Sequence, residues 1–216
     1  MKNVVFVQAR VNSFRYPRKI LKRIHSKTLL EILLLRLKKS KKLNKIVVCT
    51  SRNSSDDEIV AISKKLKVSF FRGDEKNVLK RFYEASKIFK SKNIVRITAD
   101  CPLIDPKLID RMLNVHIKLK VDYTSNTNPP TYPDGMDIEI FKTQILRKIM
   151  KIAKTSYEKE HVTILMKKNK KLKKHNFENE ENFSHLRVTI DYYEDYLVLK
   201  DIFNFFKGDL YCNHIK

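Results

Sequence analysis

The sequence has few cysteines, no long uninterrupted apolar run and few acidic residues relative to basic ones. Cys49, Cys101 and Cys212 are the only cysteines among 216 residues. They are far apart, odd in number and match no metal-binding spacing, so we expect neither a disulfide framework nor a cysteine metal centre. The cysteines therefore indicate a reducing compartment.

No apolar run is long enough to cross a membrane. The apolar run at residues 29–37 is interrupted by Glu31 and Arg36, whereas a spanning helix needs about 20 predominantly apolar residues. The apolar run at residues 4–7 is too short for a signal peptide and is followed closely by Arg10. We therefore expect a cytoplasmic protein without membrane insertion.

The shortage of acidic residues leaves a formal net charge of +22, which raises the question of a polyanionic partner. The lysines are spread over almost every predicted helix, with one dense run at residues 167–174. Neither a recognition-helix motif nor a cluster of aromatic residues accompanies them. We interpret most of them as a solvated surface and expect no specific nucleic-acid partner. A basic nucleic-acid-binding protein stays open as a non-enzymatic alternative.

Strand and helix patterns alternate four times in the first half of the chain. The predicted strands cover residues 4–7, 45–50, 68–71 and 93–98, and the predicted helices cover residues 28–40, 54–66, 77–90 and a segment from 105. We expect Thr28, Ser54 or Ser55, and Asp105 to cap three of these helices. The alternation predicts an α/β fold with a mostly parallel sheet between two helical layers, and ligands at the carboxyl ends of the strands. The length and the 42% hydrophobic content predict one domain over residues 1–216.

The second half is less regular. We predict strands at residues 121–125, 136–141 and 186–190, helices at 142–154, 157–168 and 194–206, and an irregular region at 121–165. Asp137 and Glu139 fall on the same face of the alternating segment 136–141, where they would either bind hydroxyl groups or face water. Sequence reasoning leaves both possibilities open.

A cluster of cations follows the first predicted strand. After Gln8 and Ala9 the chain carries four basic residues and a hydroxyl, namely Arg10, Ser13, Arg15, Arg18 and Lys19. Guanidinium and ammonium groups at a strand end suit a polyphosphate, because they offset several negative charges at once. The alternative is a basic surface loop without a ligand.

Two aspartates are predicted to end strands at the same edge. Asp100 follows the strand at 93–98, and Asp191 follows the strand at 186–190. Mg²⁺ is held by one or two carboxylates together with phosphate and water oxygens, so this pair is the candidate metal site. The alternative is that each aspartate only caps the following helix.

Several segments resemble one enzyme family. The three longest of these segments are Gln-Ala-Arg-x-x-Ser-x-Arg-x-Pro-x-Lys at residues 8–19, Arg-Ile-Thr-Ala-Asp-Cys-Pro-Leu-Ile-Asp at 96–105 and Val-Thr-Ile-Asp-Tyr-Tyr-Glu-Asp at 188–195. Together with shorter matches at 72–75, 125–127, 132–139 and 157–163, they resemble cytidylyltransferases of the spore-coat polysaccharide biosynthesis type. Acylneuraminate and 3-deoxy-manno-octulosonate cytidylyltransferases are similar at a greater distance. The resemblance covers about residues 3–200.

The resemblance implies a three-layer α/β/α nucleotidyltransferase sandwich of glycosyltransferase-A-like topology. It implies transfer of CMP from CTP to an acidic sugar with Mg²⁺, for surface polysaccharide or glycan biosynthesis. Family members are often dimers, so a homodimer with contacts in region 121–165 is expected. The implied catalytic residues are Arg10, Arg15, Lys19 and Asp100. The implied nucleotide-binding residues are Gln8, Ala9, Arg10, Ser13, Arg15, Lys19, Thr50, Ser51 and Arg72. The implied sugar-binding residues are Asp134, Asp137, Glu139 and His161, and the implied metal ligands are Asp100 and Asp191.

The chain departs from the family pattern at a few positions. Members usually have glycine at the position of Asn12 and often at that of Arg18, and they have Thr-Pro where this chain has Tyr192-Tyr193. We expect Asn12 to tolerate a left-handed backbone and Arg18 to need space near the phosphates. The enzyme alternative is a glycosyltransferase of similar fold, but the strand-end motif here has a single aspartate, Asp100, where those enzymes commonly have Asp-x-Asp.

Overall fold

A central sheet organises the protein, and the computed structural model describes residues 2–206. Cys212 lies outside the described residues. The strands are β1 (Asn3–Gln8), β2 (Arg23–Ile24), β3 (Lys27–Thr28), β4 (Lys45–Ser51), β5 (Ser69–Gly73), β6 (Asn93–Thr98), β7 (Tyr123–Ser125), β8 (Glu139–Lys142) and β9 (Lys174–Asn176). Seven of them form the main sheet in the order β5-β4-β1-β6-β8-β7-β9, and β2 pairs with β3 in a separate ribbon.

The main sheet is mostly parallel. Strands β4, β1 and β6 pair in parallel, and β8 runs antiparallel to both of its neighbours, β6 and β7. The carboxyl ends of β1, β4 and β6 therefore meet at one edge, and β8 brings its amino end to that edge. This edge carries Gln8, Ser51, Thr98 and Glu139, and parallel α/β sheets bind their ligands at such an edge.

Helices cover both faces of the sheet, as the alternation predicts. They are α1 (Leu29–Leu37), α2 (Asp57–Lys65), α3 (Val78–Phe89), α4 (Pro106–Lys118), α5 (Thr143–Ile152), α6 (Ser156–Glu160), α7 (Ile164–Lys168) and α8 (Tyr193–Phe205). Val5 and Val7 of β1 pack in a core with α1, α2 and α4, whereas Val4 and Phe6 pack in a second core with α3 and α5. Because successive strand residues point to opposite faces, these two cores confirm the three-layer α/β/α fold. None of the described helices is both long and apolar enough to span a membrane.

Two predicted helix caps are confirmed. Thr28 caps α1 and forms a capping box with Glu31, and Asp105 caps α4 with Pro106 in the first turn. Asn77, which was not predicted as a cap, accepts a hydrogen bond at the start of α3. The predicted cap at Ser54 or Ser55 is wrong. A 3₁₀ turn, Ser54–Asp56, precedes α2, and no side chain caps that helix.

Three predicted elements need correction. The predicted strand at 186–190 is an extended segment with one bridge, between Arg187 and Asp134, because its backbone bonds to Asp134 and then to the Asp100 carbonyl. The predicted helix at 157–168 is divided into α6 and α7 by a break at residues 161–163, where Val162 has φ 44°. The predicted strand at 136–141 begins only at Glu139. In addition, the unpredicted strand β9 begins at the end of the lysine run at residues 167–174.

A buried carboxylate connects the end of β4 to the loop after β1. Asp56 accepts hydrogen bonds from the Val11 amide (2.8 Å), the Thr50 hydroxyl (2.8 Å), and the Ser51 amide (3.0 Å) and hydroxyl (2.5 Å). Burial alone would raise the pKa of Asp56, but the hydrogen bonds from Ser51, Val11 and Thr50 outweigh it and hold this pKa below its ordinary value. Asp56 therefore fixes the start of the cationic loop against the sheet.

We expect Asp56→Ala to lower the free energy of unfolding by about 3 kcal/mol, because four buried donors lose their acceptor. Asp57→Ala is the matched control, since the neighbouring Asp57 only pairs with Arg72 at an exposed position and its loss should cost less than about 1 kcal/mol. Urea denaturation of both variants measures the difference. Equal losses in the two variants would contradict this role of Asp56.

Candidate active site

The cationic loop leaves β1 at the carboxyl edge of the sheet. Its first residues are fixed by hydrogen bonds from the Ala9 amide to the Cys49 carbonyl (3.2 Å) and from the Arg18 amide to the Val11 carbonyl (3.2 Å). Arg10 and Arg15 are exposed, and their guanidinium groups pair with Glu160 (3.3 Å) and Asp191 (2.6 Å). The loop backbone is thus held by the sheet, while its guanidinium groups stay accessible.

Lys19 is the centre of the site. It is only 8% exposed, and its Nζ donates to Asp100 Oδ2 (2.8 Å), Asp191 Oδ1 (2.9 Å) and the Ile190 carbonyl (2.7 Å). Burial alone would lower the pKa of Lys19, but Asp100 and Asp191 raise it above its ordinary value. One ammonium group therefore joins three distant parts of the chain and brings the two predicted metal ligands together.

Neither aspartate serves as a helix cap. The cap of α4 is Asp105, and the amides of Asp191 and Tyr192 before α8 donate to Asp195 Oδ2 (2.7 and 2.9 Å). The carboxylates of Asp100 and Asp191 instead meet at Lys19. The reading of these residues as caps is therefore wrong.

Sequence reasoning missed Arg187, which lies next to this cluster. Its guanidinium binds Asp191 Oδ2 (2.9 Å) and Asp195 Oδ1 (2.9 Å), and it also pairs with Asp134. Hydrogen bonding to Asp195, and then to Asp191, raises the pKa of Arg187. The arginine directly precedes the motif at 188–195, but an arginine four residues before an aspartate is too common a pattern to have indicated this contact.

The donor set suits a hard divalent cation. Two carboxylate oxygens converge on the point that Lys19 Nζ contacts, and Mg²⁺ typically takes one or two carboxylates plus phosphate and water oxygens. In residues 2–206 no group of three or more histidine, cysteine or acidic side chains is arranged to hold a metal. The pair Asp100 and Asp191 therefore offers two carboxylate ligands to such a cation, and its other ligands would not come from histidine, cysteine or acidic side chains of the described residues.

Arg96 lines the edge between β1 and β8. It donates to Gln8 Oε1 (2.9 Å) and pairs with Glu139. Glu139 is 3% exposed and also binds the Tyr123 hydroxyl (2.6 Å), the Thr163 hydroxyl (2.8 Å) and Lys167 Nζ (3.1 Å). Burial would raise the pKa of Glu139, but Arg96 and Lys167 lower it to about 2.

The four predicted sugar-binding residues do not form one exposed set. Glu139 is enclosed by its partners, so the idea that it shares an open strand face with Asp137 is wrong. Asp137 is exposed in the loop before β8, where partial burial, together with Asp134 and Glu139, raises its pKa to about 6. Asp134 is exposed and paired with Arg187. His161 is exposed and packs on the Tyr157 ring, with centroids 4.3 Å apart.

The polar groups at the ends of β4 and β5 have partners within the protein. Thr50 and Ser51 are buried and bind Asp56, and Arg72 donates to the Ser51 and Asn53 carbonyls and to Asp57. These three residues line the carboxyl edge, as predicted from their strand positions. Their assignment to the nucleotide stays a prediction, and the structure gives each of them a structural role.

The comparisons with known proteins decide the family. Residues 4–211 match the cytidylyltransferase family. The spore coat polysaccharide biosynthesis protein SpsF of Bacillus subtilis is 34% identical over 94% of this chain and 87% of that protein. The chain belongs to the cytidylyltransferase family.

Solved structures and further relatives agree. A cytidylyltransferase from Leptospira borgpetersenii has a TM-score of 0.94 at 37% identity, covering 99% of this chain and 92% of that one. An uncharacterized protein of Methanocaldococcus jannaschii is 39% identical over 97% of this chain and 88% of that protein. The CMP:2-keto-3-deoxy-manno-octonic acid synthetase, solved with CTP, has a TM-score of 0.70 at 14% identity, covering 94% of this chain and 99% of that one, and so shares the fold.

The backbone conformation of Arg18 explains why glycine suits this position in a cytidylyltransferase. Its backbone is left-handed, with φ 59° and ψ 21°, a conformation that glycine adopts without steric cost. Its side chain does not crowd the cluster around Lys19, because it pairs with Glu58 of α2 at 2.6 Å. Asn12 is not among the described residues with positive φ, so its backbone does not need the conformational freedom of glycine.

We expect Lys19→Met to destabilise this cytidylyltransferase by about 3 kcal/mol at pH 7, because two largely buried carboxylates lose their shared cation. Lys19 lowers the pKa of Asp191, a contribution to stability that is present above pH 3.8 and lost as the pH falls through the folded-state pKa. The raised pKa of Lys19 contributes stability below pH 10.5, which is lost as the pH rises through its folded-state pKa.

The difference in the free energy of unfolding between wild type and Lys19→Met should therefore be largest between about pH 5 and pH 10, and it should shrink below about pH 4. Urea denaturation across this range measures it. Lys22→Met is the control, because Lys22 only lies over the Tyr16 ring, 5.1 Å from its centroid, and its loss should cost less than about 1 kcal/mol. A pH-independent difference would argue against the carboxylate contacts.

Proposed function

We propose that this cytidylyltransferase transfers CMP from CTP to an acidic sugar and releases pyrophosphate. The observation that carries the proposal is the convergence of Asp100 and Asp191 on Lys19, beside a loop that presents Arg10 and Arg15. The similarity to a spore coat polysaccharide biosynthesis protein and to a fold solved with CTP supports a nucleotide-activated sugar as the product. The expected setting is surface polysaccharide or glycan biosynthesis.

The cations of the loop would bind the triphosphate. Arg10 and Arg15 are accessible, and each forms an ion pair with a single carboxylate, so phosphate oxygens can compete for both guanidinium groups. Gln8, Ala9 and Ser13 belong to the same stretch and would contact the nucleotide. Phosphate oxygens also compete with Asp100 and Asp191 for Lys19, so nucleotide binding would free carboxylate oxygens at the centre of the site.

Asp100 and Asp191 would then hold Mg²⁺ together with the phosphates. The bound cation would neutralise charge that develops on the phosphates during transfer. The oxygen of a sugar hydroxyl would attack the α-phosphorus in line, the bond from this phosphorus to the pyrophosphate would break, and the hydroxyl would release its proton to water. Arg10, Arg15 and Lys19 would stabilise the negative charge of the transferring phosphoryl group and the leaving pyrophosphate.

The sugar would lie toward Asp134, Asp137 and His161, whose side chains are exposed near this edge. Glu139 would act indirectly, because Arg96 connects it to Gln8. A homodimer with contacts in region 121–165 stays a prediction. We also propose a cytoplasmic location, where the buried thiols of Cys49 and Cys101 remain reduced.

The alternatives receive less support. A glycosyltransferase of similar fold would share the sheet, but this chain matches the cytidylyltransferase family over nearly its whole length. Nucleic-acid binding rests only on the net charge. Nonspecific charge attraction accounts for such binding, and it would weaken steeply with salt.

We expect CTP with Mg²⁺ to raise the melting temperature by about 5 to 10 °C at a hundredfold excess over its Kd, because a ligand of the folded state stabilises it by mass action. Without Mg²⁺ the shift should be smaller, and ATP, GTP and UTP should give less. Differential scanning fluorimetry measures all eight combinations.

Two variants sharpen this experiment. Asp100→Asn should lose the Mg²⁺-dependent part of the shift, since it removes a charged ligand while it keeps the side-chain shape. Arg18→Gly lies in the same loop but pairs with Glu58, so it should keep the full shift. Equal small shifts with all four nucleotides would reduce the loop to a general anion site and overturn the proposal.

A further inference from the structure

A second cleft lies at the opposite edge of the sheet. It is formed where β6 begins, where β8 ends, at the last turn of α4 and at the first turn of α5, and its volume is about 710 Å³. Asn93 and Lys142, which face each other across β6 and β8, both line it. The cleft is therefore one strand length, roughly 17 to 20 Å, from the strand ends that carry the nucleotide site.

The walls of this cleft are basic. They include Lys92, Lys120, Lys142 and Arg147 and no acidic residue. Lys142 pairs with Asp122 (2.8 Å) behind the wall. The side chains of Lys92, Lys120 and Arg147 are exposed and have no ion-pair or hydrogen-bond partner within residues 2–206. Three cations thus face the cleft without a counter-charge.

The amino terminus of α5 adds positive potential. Thr143 and Gln144 open this ten-residue helix and line the cleft. No side chain caps the helix, and its first turn contains no acidic residue. The Thr143 amide donates a hydrogen bond to the Lys92 carbonyl (2.9 Å). The following amides of the first turn have no hydrogen-bond partner within the helix. Such a terminus favours a bound anion.

His116 provides an independent sign of a ligand. This residue of α4 is 1% exposed and lines the cleft. Its Nδ1 contacts the Thr124 hydroxyl (2.9 Å), but its Nε2 is buried without a hydrogen-bond partner among the described residues. A buried ring nitrogen without a partner is costly unless a ligand satisfies it.

The charges around His116 keep its ring neutral at pH 7. Burial, and then Lys142, lower its pKa to about 4, whereas Asp122 acts in the opposite direction. Lys92, Lys120 and Arg147 are the other charged residues that line the cleft. In the tautomer in which Nδ1 accepts a hydrogen bond from the Thr124 hydroxyl, Nε2 carries the ring proton and can donate a hydrogen bond to an anion.

We propose that this cleft is a second ligand site that binds the phosphate group of a small phosphorylated molecule. A phosphate offers several acceptor oxygens, which match three free cations, the α5 amides and His116 Nε2. The volume falls in the range of sites for sugar-sized ligands and exceeds what free phosphate fills. The overall charge of the chain does not account for the uncapped helix or for the unpartnered histidine.

The test follows the ring signal of His116 by NMR while inorganic phosphate, glucose 6-phosphate or glucose is added at 0.15 M salt. The signal is assigned with His116→Gln. We expect a saturable shift with a Kd below about 1 mM for at least one phosphate, none with glucose, and a higher His116 pKa in the bound state. Tighter binding of the sugar phosphate would identify a metabolite site, and tighter binding of inorganic phosphate would identify a free-ion site.

Two double variants, each of which removes two positive charges, distinguish specific phosphate binding in the cleft from nonspecific charge attraction. Lys92→Gln with Arg147→Gln should weaken binding by at least about tenfold. Lys170→Gln with Lys171→Gln, at exposed lysines that do not line the cleft, should change it by less than about twofold. Equal weakening in both double variants, or no shift of the His116 signal with either phosphate, would overturn the proposal. None of these substitutions alters a residue that we assign to the nucleotide site.

Discussion

The organisation of the site depends on one buried ammonium group. Lys19 bonds to Asp100, Asp191 and the Ile190 carbonyl, residues that lie 81 to 172 positions away along the chain. Without it, two carboxylates would repel each other at the edge of the sheet. With it, the cationic loop, the end of β6 and the segment before α8 form one cluster. In the function that we propose, triphosphate oxygens would compete with these carboxylates for the same lysine.

Much of the fold could be predicted from the sequence. Alternating strands and helices imply a parallel sheet, and the two cores on β1 confirm that helices cover both faces. The positions of Arg10, Asp100 and Asp191 at one edge also followed, since the carboxyl ends of parallel strands meet there. The predicted position of Asp191 at this edge is correct even though its strand does not form, because the extended backbone before it bonds to the Asp100 carbonyl.

The remaining details depend on contacts between distant residues, which a pattern does not show. Alternation placed Glu139 beside Asp137, but Arg96 and Lys167 enclose the glutamate. No sequence pattern indicated that Asp56 turns inward and binds the Val11 amide in the loop after β1. The side chain of Arg18 was expected near the phosphates. In the structure its backbone is left-handed and its guanidinium forms an ion pair with Glu58. In each case a partner far along the chain decides the role.

The most direct test of the central claim is a reaction followed by ³¹P NMR and mass spectrometry. The purified protein is incubated with CTP, Mg²⁺ and a panel of nine-carbon and eight-carbon sugar acids. The account predicts a CMP-sugar and pyrophosphate in equal amounts for at least one sugar, and a rate at least about a thousandfold lower for Asp100→Asn. CTP that binds but yields no CMP-sugar with any acid, or an undiminished rate in Asp100→Asn, would contradict it.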